Sequence, residues 1–331
     1  MKQKDRIAVL GSGSWATAIA KLLLNNLEHI HWYIRSTDTI EHFEKHNHNP
    51  KYLSDVKFDS DNISFHNNIT SAIDNADIII VAIPSPFLEE SIGNYKGSFR
   101  DKFIVSAVKG IIPVHNLTIA EFFNQVYNVP FSKIGILTGP CHAEEIALER
   151  LSYLTIASKS KVDARHVANM LECHYCKTKL STDIYGIEYA AVLKNIVAIA
   201  SGICHGLGYG DNFQAVLVSN ALQEIKRFLD TTYKSKRKIN SSAYLGDLLV
   251  TTYSQFSRNR TFGNMIGKGY SIKAAQLEMN MIAEGFYAVD CIKEINEKFK
   301  VNMPIVSAVY HVLHDRISPA LEIQLLTDKL K

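Results

Sequence analysis

The chain has 331 residues, 47% hydrophobic and 21% charged, with a formal net charge of +3. That length and composition suit two globular domains with ample core. So balanced a charge argues against a nucleic-acid binder working through bulk positive charge and leaves room only for a local basic pocket. No uninterrupted apolar run reaches the roughly 18 residues that span a bilayer, so no membrane insertion is expected.

Residues 6–10 are a short apolar run closed by glycine, and 14–26 fit a helix. The first twenty residues superficially resemble a signal peptide. Their apolar part is broken by a Gly-Ser loop, and strand, turn and helix is the better reading. The cytoplasm is then the expected location. Gly11-Ser12-Gly13-Ser14-Trp15-Ala16 matches G-x-G-x-x-A in the context that gives the pattern meaning, after a strand and opening a helix. The first glycine permits the tight turn and the second lets backbone approach a pyrophosphate. Ala16 allows close helix–strand packing, and the helix start presents N–H groups to phosphates. This predicts a dinucleotide site.

Residues 29–34 read as the second strand, and Arg35 stands where NAD-binding versions place an acid. An arginine there suits a 2′-phosphate or lies over the adenine ring, so the cofactor is NAD or NADP. Further strands are predicted at 77–83, 103–108 and 133–138, and repeated strands with helical crossovers predict a parallel sheet wrapped by helices. Lys109 closes the strand of SAVKG, where ligands of open parallel sheets bind. Pro84-Ser85-Pro86 and Gly139-Pro140 also follow strands.

Cys173 and Cys176 form C-x-x-C, but no second Cys or His pair lies at zinc spacing. No metal is expected, and five scattered cysteines make no disulfide framework. From about residue 186 helical patterns dominate, at 186–203, 212–229, 273–298 and 304–316. The expected organisation is an α/β, Rossmann-type doubly wound domain over 1–185 and an all-α domain over 186–331. The basic tract 234–238 reads as a solvated loop or a phosphate or partner contact.

Within AAVLKNIVAIASGI, Lys194 is the one charge. Its helical neighbours Ala190, Ala191, Val197, Ala198 and Ser201 are mostly small, so a ligand or a facing backbone has room. A buried lysine deprotonates or pairs, and a lowered pKa suits proton transfer near neutrality. A snorkelling lysine with its amine in water is the equal alternative. Further on, Arg258 offers a planar fork for phosphate, Asn259 an amide, and Asp247 a carboxylate to orient the lysine. Lys109, Lys194 and Arg258 together match a small-molecule phosphate substrate.

GSGSWATA, SAVKG, LTGPCHAEE, LKNIVAIASGI, GLGYGDN, LGDLLVT, SRNRTFG and AEG follow one another along nearly the whole chain. In order and approximate spacing they resemble the bacterial NAD(P)-dependent glycerol-3-phosphate dehydrogenase family. That resemblance implies a Rossmann domain, a helical C-terminal domain, and a homodimer. It implies reversible reduction of dihydroxyacetone phosphate to sn-glycerol 3-phosphate, for phospholipid synthesis. By motif, Lys194 carries the proton. Lys109, Gly139, Cys141, Asp247, Ser257, Arg258 and Asn259 surround the substrate, with Asn195 and Thr251 as additional contacts. Gly11 to Ala16 form the nucleotide loop, and Ser14, Trp15, Arg35, Lys109, Ala143, Arg258, Ile282 and Glu284 touch the cofactor.

The family usually carries Ser or Thr where this chain has Cys141, a poorer hydrogen-bond partner, and commonly Phe at His142. Position 144, commonly basic, is Glu here. The family often has Arg near Asn220, and 230–242 is longer and more basic than usual. Two rival readings are a β-hydroxyacid dehydrogenase and a non-catalytic nucleotide-binding sensor. The first looks for Asn four residues after its lysine, where this chain has Ala198. A sensor has no use for Lys109, Lys194, Asp247 and Arg258 together.

Overall fold

The computed structural model describes residues 6–279 and 282–330. The elements begin β1 (Ile7–Leu10), α1 (Ser14–Leu24), β2 (Ile30–Tyr33), α2 (Thr37–His46), β3 (Ile63–His66), α3 (Ile69–Asp74), β4 (Ile78–Val81), α4 (Ser85–Ile92) and β5 (Phe103–Ser106). A two-stranded hairpin follows, β6 (Ile111–Ile112) with β7 (Leu117–Thr118). Then come α5 (Ile119–Tyr127), β8 (Ile134–Thr138), α6 (Ala143–Ala147), β9 (Ser152–Ser158), α7 (Lys161–Leu171) and β10 (Cys176–Ser181). The remainder is helical: α8 (Ile184–Gly206), α9 (Asp211–Thr232), α10 (Asp247–Tyr253), α11 (Arg258–Gly267), α12 (Ile272–Glu278), α13 (Glu284–Phe299), α14 (Pro304–Leu313) and α15 (Pro319–Thr327).

Two compact units result. Among the described residues, 6–108 and 119–184 form one, and 109–118, 185–279 and 282–330 form the other. The hairpin, which follows a strand of the sheet in sequence, therefore groups with the helices.

The first unit is an eight-stranded sheet in the order β10-β9-β8-β5-β4-β1-β2-β3. Its central strands IAVL and IIIV are buried along their whole length, as strands covered on both faces must be. The order turns back between β1 and β4, the switch point at which open sheets bind ligands beyond the carboxyl ends of their strands. One join departs from the predicted parallel sheet: β8 and β9 are antiparallel, with Ile136 opposite Ala157. An antiparallel pair needs no crossover helix, and only the five-residue α6 stands between these strands. Strand β10 then follows β9 in parallel across α7.

At the centre of the second unit, α8 is buried from Gly186 to Cys204. It is long and apolar enough to cross a membrane by composition, but its apolar stretch is wholly buried inside the protein, as in a core helix. Its glycines meet those of α11. A Cβ on Gly202 would stand 2.1 Å from Arg260 O, and one on Gly263 2.1 Å from Ile199 O. The small face of α8 thus admits a facing helix backbone. Gly263→Ala is expected to cost about 1–3 kcal/mol through overpacking against backbone that cannot rotate away. Denaturant unfolding of the purified variant measures this, and a wild-type midpoint would show the helices are not so close.

The predicted single helix over 273–298 is two, α12 and α13. Positions 280 and 281 of that stretch lie outside the described residues. The restart at α13 is set by a tertiary contact: Asn259 Oδ1 on α11 accepts from Gly285 N at 2.9 Å, capping the new helix from outside its own sequence. Similarly, Glu224 on α9 accepts from Ile305 N and Val306 N at 3.0 Å each, capping α14. The basic tract 234–238 is a loop, but Arg237 is not solvated. Its guanidinium donates to Leu229 O and Tyr233 O at the end of α9, a favourable place for a cation.

Candidate active site

Lys194 lies on the third turn of α8 and is 3% exposed, which removes the snorkelling alternative. Its Nζ donates to Asp247 Oδ1 and, at 2.9 Å, to Thr251 Oγ1. Both acceptors stand on α10, one helical turn apart, so they face the same way. Thr251 donates its own proton to Asp247 O at 2.6 Å, which fixes its lone pairs toward the lysine. Lys109 Nζ is 3.8 Å from the same Asp247 oxygen. Two ammonium groups thus share one buried carboxylate.

The electrostatic consequence follows from burial. Loss of water destabilises the charged amine and pulls the Lys194 pKa down from 10.5 to about 7. Asp247 opposes this fall, while Lys109 adds to it. The result is an amine poised between protonation states near neutrality.

Asn195 serves a purpose that its sequence position does not reveal. Its Nδ2 donates to Lys109 O at 2.9 Å, tying α8 to the segment that carries the second lysine. Ser257 is the N-cap of α11, its Oγ accepting from Arg260 N at 3.3 Å. Arg258, the first residue of that helix, is exposed. Asn259 spends its Oδ1 on Gly285 N, so its NH2 is what it can offer an anion. Glu284 opens α13 and Ile282 lies half-buried just before it.

The other predicted residues belong to the sheet unit. Gly11 follows β1 with φ of +121°, and a Cβ there would lie 2.8 Å from Ala82 O, just beyond β4. Only glycine suits that position. A Cβ on Gly13, in contrast, would meet nothing within 4 Å. Gly13 is the N-cap of α1 and has no side chain with which to cap it, whereas Ser36, Ser160 and Ser257 cap their helices. Ser14 and Ala16 are buried and Trp15 is half-buried. Bare backbone, open space and a helix N-terminus at the switch point fit a pyrophosphate. Arg35 is exposed just after β2.

Gly139 and Cys141 follow β8, and Ala143 opens α6. The Cys141 thiol is buried and donates to Tyr153 O at 3.2 Å, so it anchors its own loop to β9. Cys173 and Cys176 face each other across a backbone bridge at the start of β10. Among the described residues no group of His, Cys, Asp and Glu is arranged to hold a metal ion.

The pattern described as the N-terminus of NAD-dependent glycerol-3-phosphate dehydrogenase matches residues 6–164, and its C-terminus matches 183–324. The NAD(P)+-dependent glycerol-3-phosphate dehydrogenase of Chlorobium phaeobacteroides is 33% identical over 312 residues, 94% of this chain and 93% of that one. That of Bacillus subtilis is 34% identical over 321 residues, 96% and 93% of the two chains. The crystal structure of glycerol-3-phosphate dehydrogenase from Coxiella burnetii matches with a TM-score of 0.90 at 26% identity, covering 98% of this chain and 99% of that one. With both of its parts matched in order and relatives aligned over more than nine-tenths of both chains, this chain belongs to the NAD-dependent glycerol-3-phosphate dehydrogenase family.

Proposed function

We propose that the protein catalyses the reversible, NAD(P)-dependent reduction of dihydroxyacetone phosphate to sn-glycerol 3-phosphate, which supplies glycerophospholipid synthesis. The observation that carries the proposal is the buried Lys194 amine, held by Asp247 and Thr251 beside Lys109, in a member of this family. When bound, the dinucleotide supplies the hydride that the ketone carbon accepts. Gly11, Ser12, Gly13, Ser14, Trp15 and Ala16 hold its pyrophosphate, with Arg35, Ala143, Ile282 and Glu284 as further contacts.

Arg258 and the Asn259 amide hold the substrate phosphate, a bidentate fork and a neutral donor matched to its oxygens. Ser257 adds a hydroxyl, and Gly139 and Cys141 add contacts from the loop after β8. Lys194 Nζ gives its proton to the oxygen that becomes the alcohol, and the neutral amine takes it back in the reverse reaction. Asp247 holds that amine in place, and Asn195 fixes the backbone of Lys109. Lys109 then supplies a second positive charge where the oxygen gains negative charge.

The test follows nicotinamide absorbance with dihydroxyacetone phosphate, comparing NADH with NADPH. Turnover with at least one is expected, and none with either overturns the proposal. A strong NADH preference removes a 2′-phosphate role for Arg35. The pH dependence has a required sign. Reduction uses protonated Lys194, so its kcat/KM should fall as pH rises through about 7. Oxidation uses the neutral amine and should rise over the same range. Parallel profiles in the two directions would remove Lys194 as the proton carrier. We also take the protein to be a cytoplasmic homodimer, and sedimentation at the mass of one chain would exclude the dimer.

A further inference from the structure

Three successive carbonyls of the glycine loop are each held by a donor. Gly11 O accepts from Trp32 Nε1 at 2.7 Å. Ser12 O accepts from Asn49 Nδ2 at 3.0 Å. Gly13 O accepts from the backbone N and the Oγ1 of Thr17, both at 3.0 Å. Asn49 Nδ2 also donates to Thr17 Oγ1 at 2.9 Å, so the amide and the hydroxyl act as one relay.

The donors are themselves immobile. Trp32 on β2 is fully buried, and its ring packs at 5.1 Å from Phe43, 5.6 Å from Phe58 and 6.1 Å from Phe65. A buried indole N–H in such an apolar cluster needs an acceptor, and the loop carbonyl is the one it has. Asn49, in the segment after α2, is also fully buried. Its Oδ1 accepts from Lys51 N at 3.0 Å and Tyr52 N at 3.2 Å. With two bonds given and two received, the amide is saturated and its orientation is determined by its partners.

Peptide geometry converts these bonds into a statement about ligand binding. Across a trans peptide the N–H of one residue points opposite to the C=O of the residue before it, and there are no cis peptides among the described residues. Drawing the carbonyls of Gly11, Ser12 and Gly13 toward the protein turns the N–H groups of Ser12, Gly13 and Ser14 the other way. Three consecutive N–H groups turned away from their braced carbonyls can line an anion-binding concavity. Without the braces, a loop with two glycines in four residues has many other peptide orientations to sample.

We propose that Trp32 and Asn49 are positioning residues of the dinucleotide loop, which hold its peptide planes in the pyrophosphate-binding orientation before any ligand arrives. The proposal rests on the reading of that loop as the dinucleotide site. Preorganisation of this kind raises affinity by removing an ordering cost from binding. Its loss should weaken ligands that carry a pyrophosphate and spare those that do not.

The test is a fluorescence titration of the full-length protein with NADH, and calorimetric titration with ADP-ribose and adenosine. Wild-type protein binding neither NADH nor ADP-ribose would remove the dinucleotide reading itself, a different failure from that of the braces. Trp32→Phe keeps an aromatic ring and removes the N–H. Asn49→Asp keeps the shape and the Oδ1 acceptor but sets a carboxylate oxygen against Ser12 O. Expected are Kd increases for NADH and ADP-ribose of about 3–30-fold for Trp32→Phe and about 10–100-fold for Asn49→Asp. Adenosine binding and the KM for dihydroxyacetone phosphate should stay within about twofold of wild type. Thr17→Ser, which keeps the relay hydroxyl, should bind like wild type, and Thr17→Val should not. Circular dichroism and thermal melting establish that each variant is folded. Folded Trp32→Phe and Thr17→Val proteins with wild-type affinity for NADH would overturn the proposal, even if Asn49→Asp fails to fold. So would equal losses for adenosine and ADP-ribose, which would mark general damage to the unit.

Discussion

Lys194→Ala is expected to lower kcat for dihydroxyacetone phosphate reduction by about 10²–10⁴-fold, the usual contribution of a positioned general acid. The fold should survive, because the substitution does not strand a buried anion. Lys109 Nζ already lies 3.8 Å from Asp247 Oδ1, so a cation remains for the carboxylate after Lys194 is removed. Alanine is also well suited to the interior of a helix such as α8. Lys194→Arg provides a sharper form of the experiment. It keeps the charge, but a guanidinium does not release its proton in the neutral range. If the lysine only neutralised charge, arginine would restore much of the rate. If it transfers a proton, arginine should be nearly as poor as alanine. Steady-state kinetics on folded protein separate these cases, and near-normal turnover in Lys194→Ala would refute the assignment.

The second large effect is expected from Asp247→Asn. Asp247 is 1% exposed, and its charge is the chief influence holding the Lys194 pKa up against burial. Removing that charge leaves burial and Lys109 both acting to lower it further. The amine should then be mostly neutral at pH 7–8, and reduction there should fall by about 10–100-fold, matching a displacement of one to two pH units. The loss should shrink as pH is lowered, because protonation then restores the acid form. Oxidation, which begins from the neutral amine, should suffer less at the same pH. A uniform loss across the whole pH range, with no displacement of the profile, would show that Asp247 holds the substrate and does not tune the lysine.

Local pattern accounts for what could be read in advance. Strand runs such as IIIV and the glycine loop at the end of the first strand depend on neighbours in the chain, and they appear where periodicity and turn chemistry place them. The helix carrying Lys194 extends three residues beyond its predicted end, to Gly206. The errors have another character. The antiparallel join of β8 and β9 and the break between α12 and α13 both depend on partners distant in the chain. The assignment of the 109–118 hairpin to the helical unit also depends on distant contacts. Asn49 was invisible for the same reason: nothing in H-N-P-K distinguishes it from a surface loop residue, and only its partners Ser12 and Thr17 give it a purpose.

The amino-acid sequence by itself determined five strands of the sheet, the glycine loop, and the lysine set within an apolar helix. Each is a property of residues adjacent along the chain or one turn apart. The sequence missed β3, β9, β10 and the β6–β7 hairpin. It left open whether that lysine reached water or was buried with a partner. Tertiary structure decided this by bringing Asp247 and Thr251, more than fifty residues away, onto a buried Lys194. A lysine pKa is set by the surrounding dielectric and by the nearest charges, and neither exists until the chain has folded.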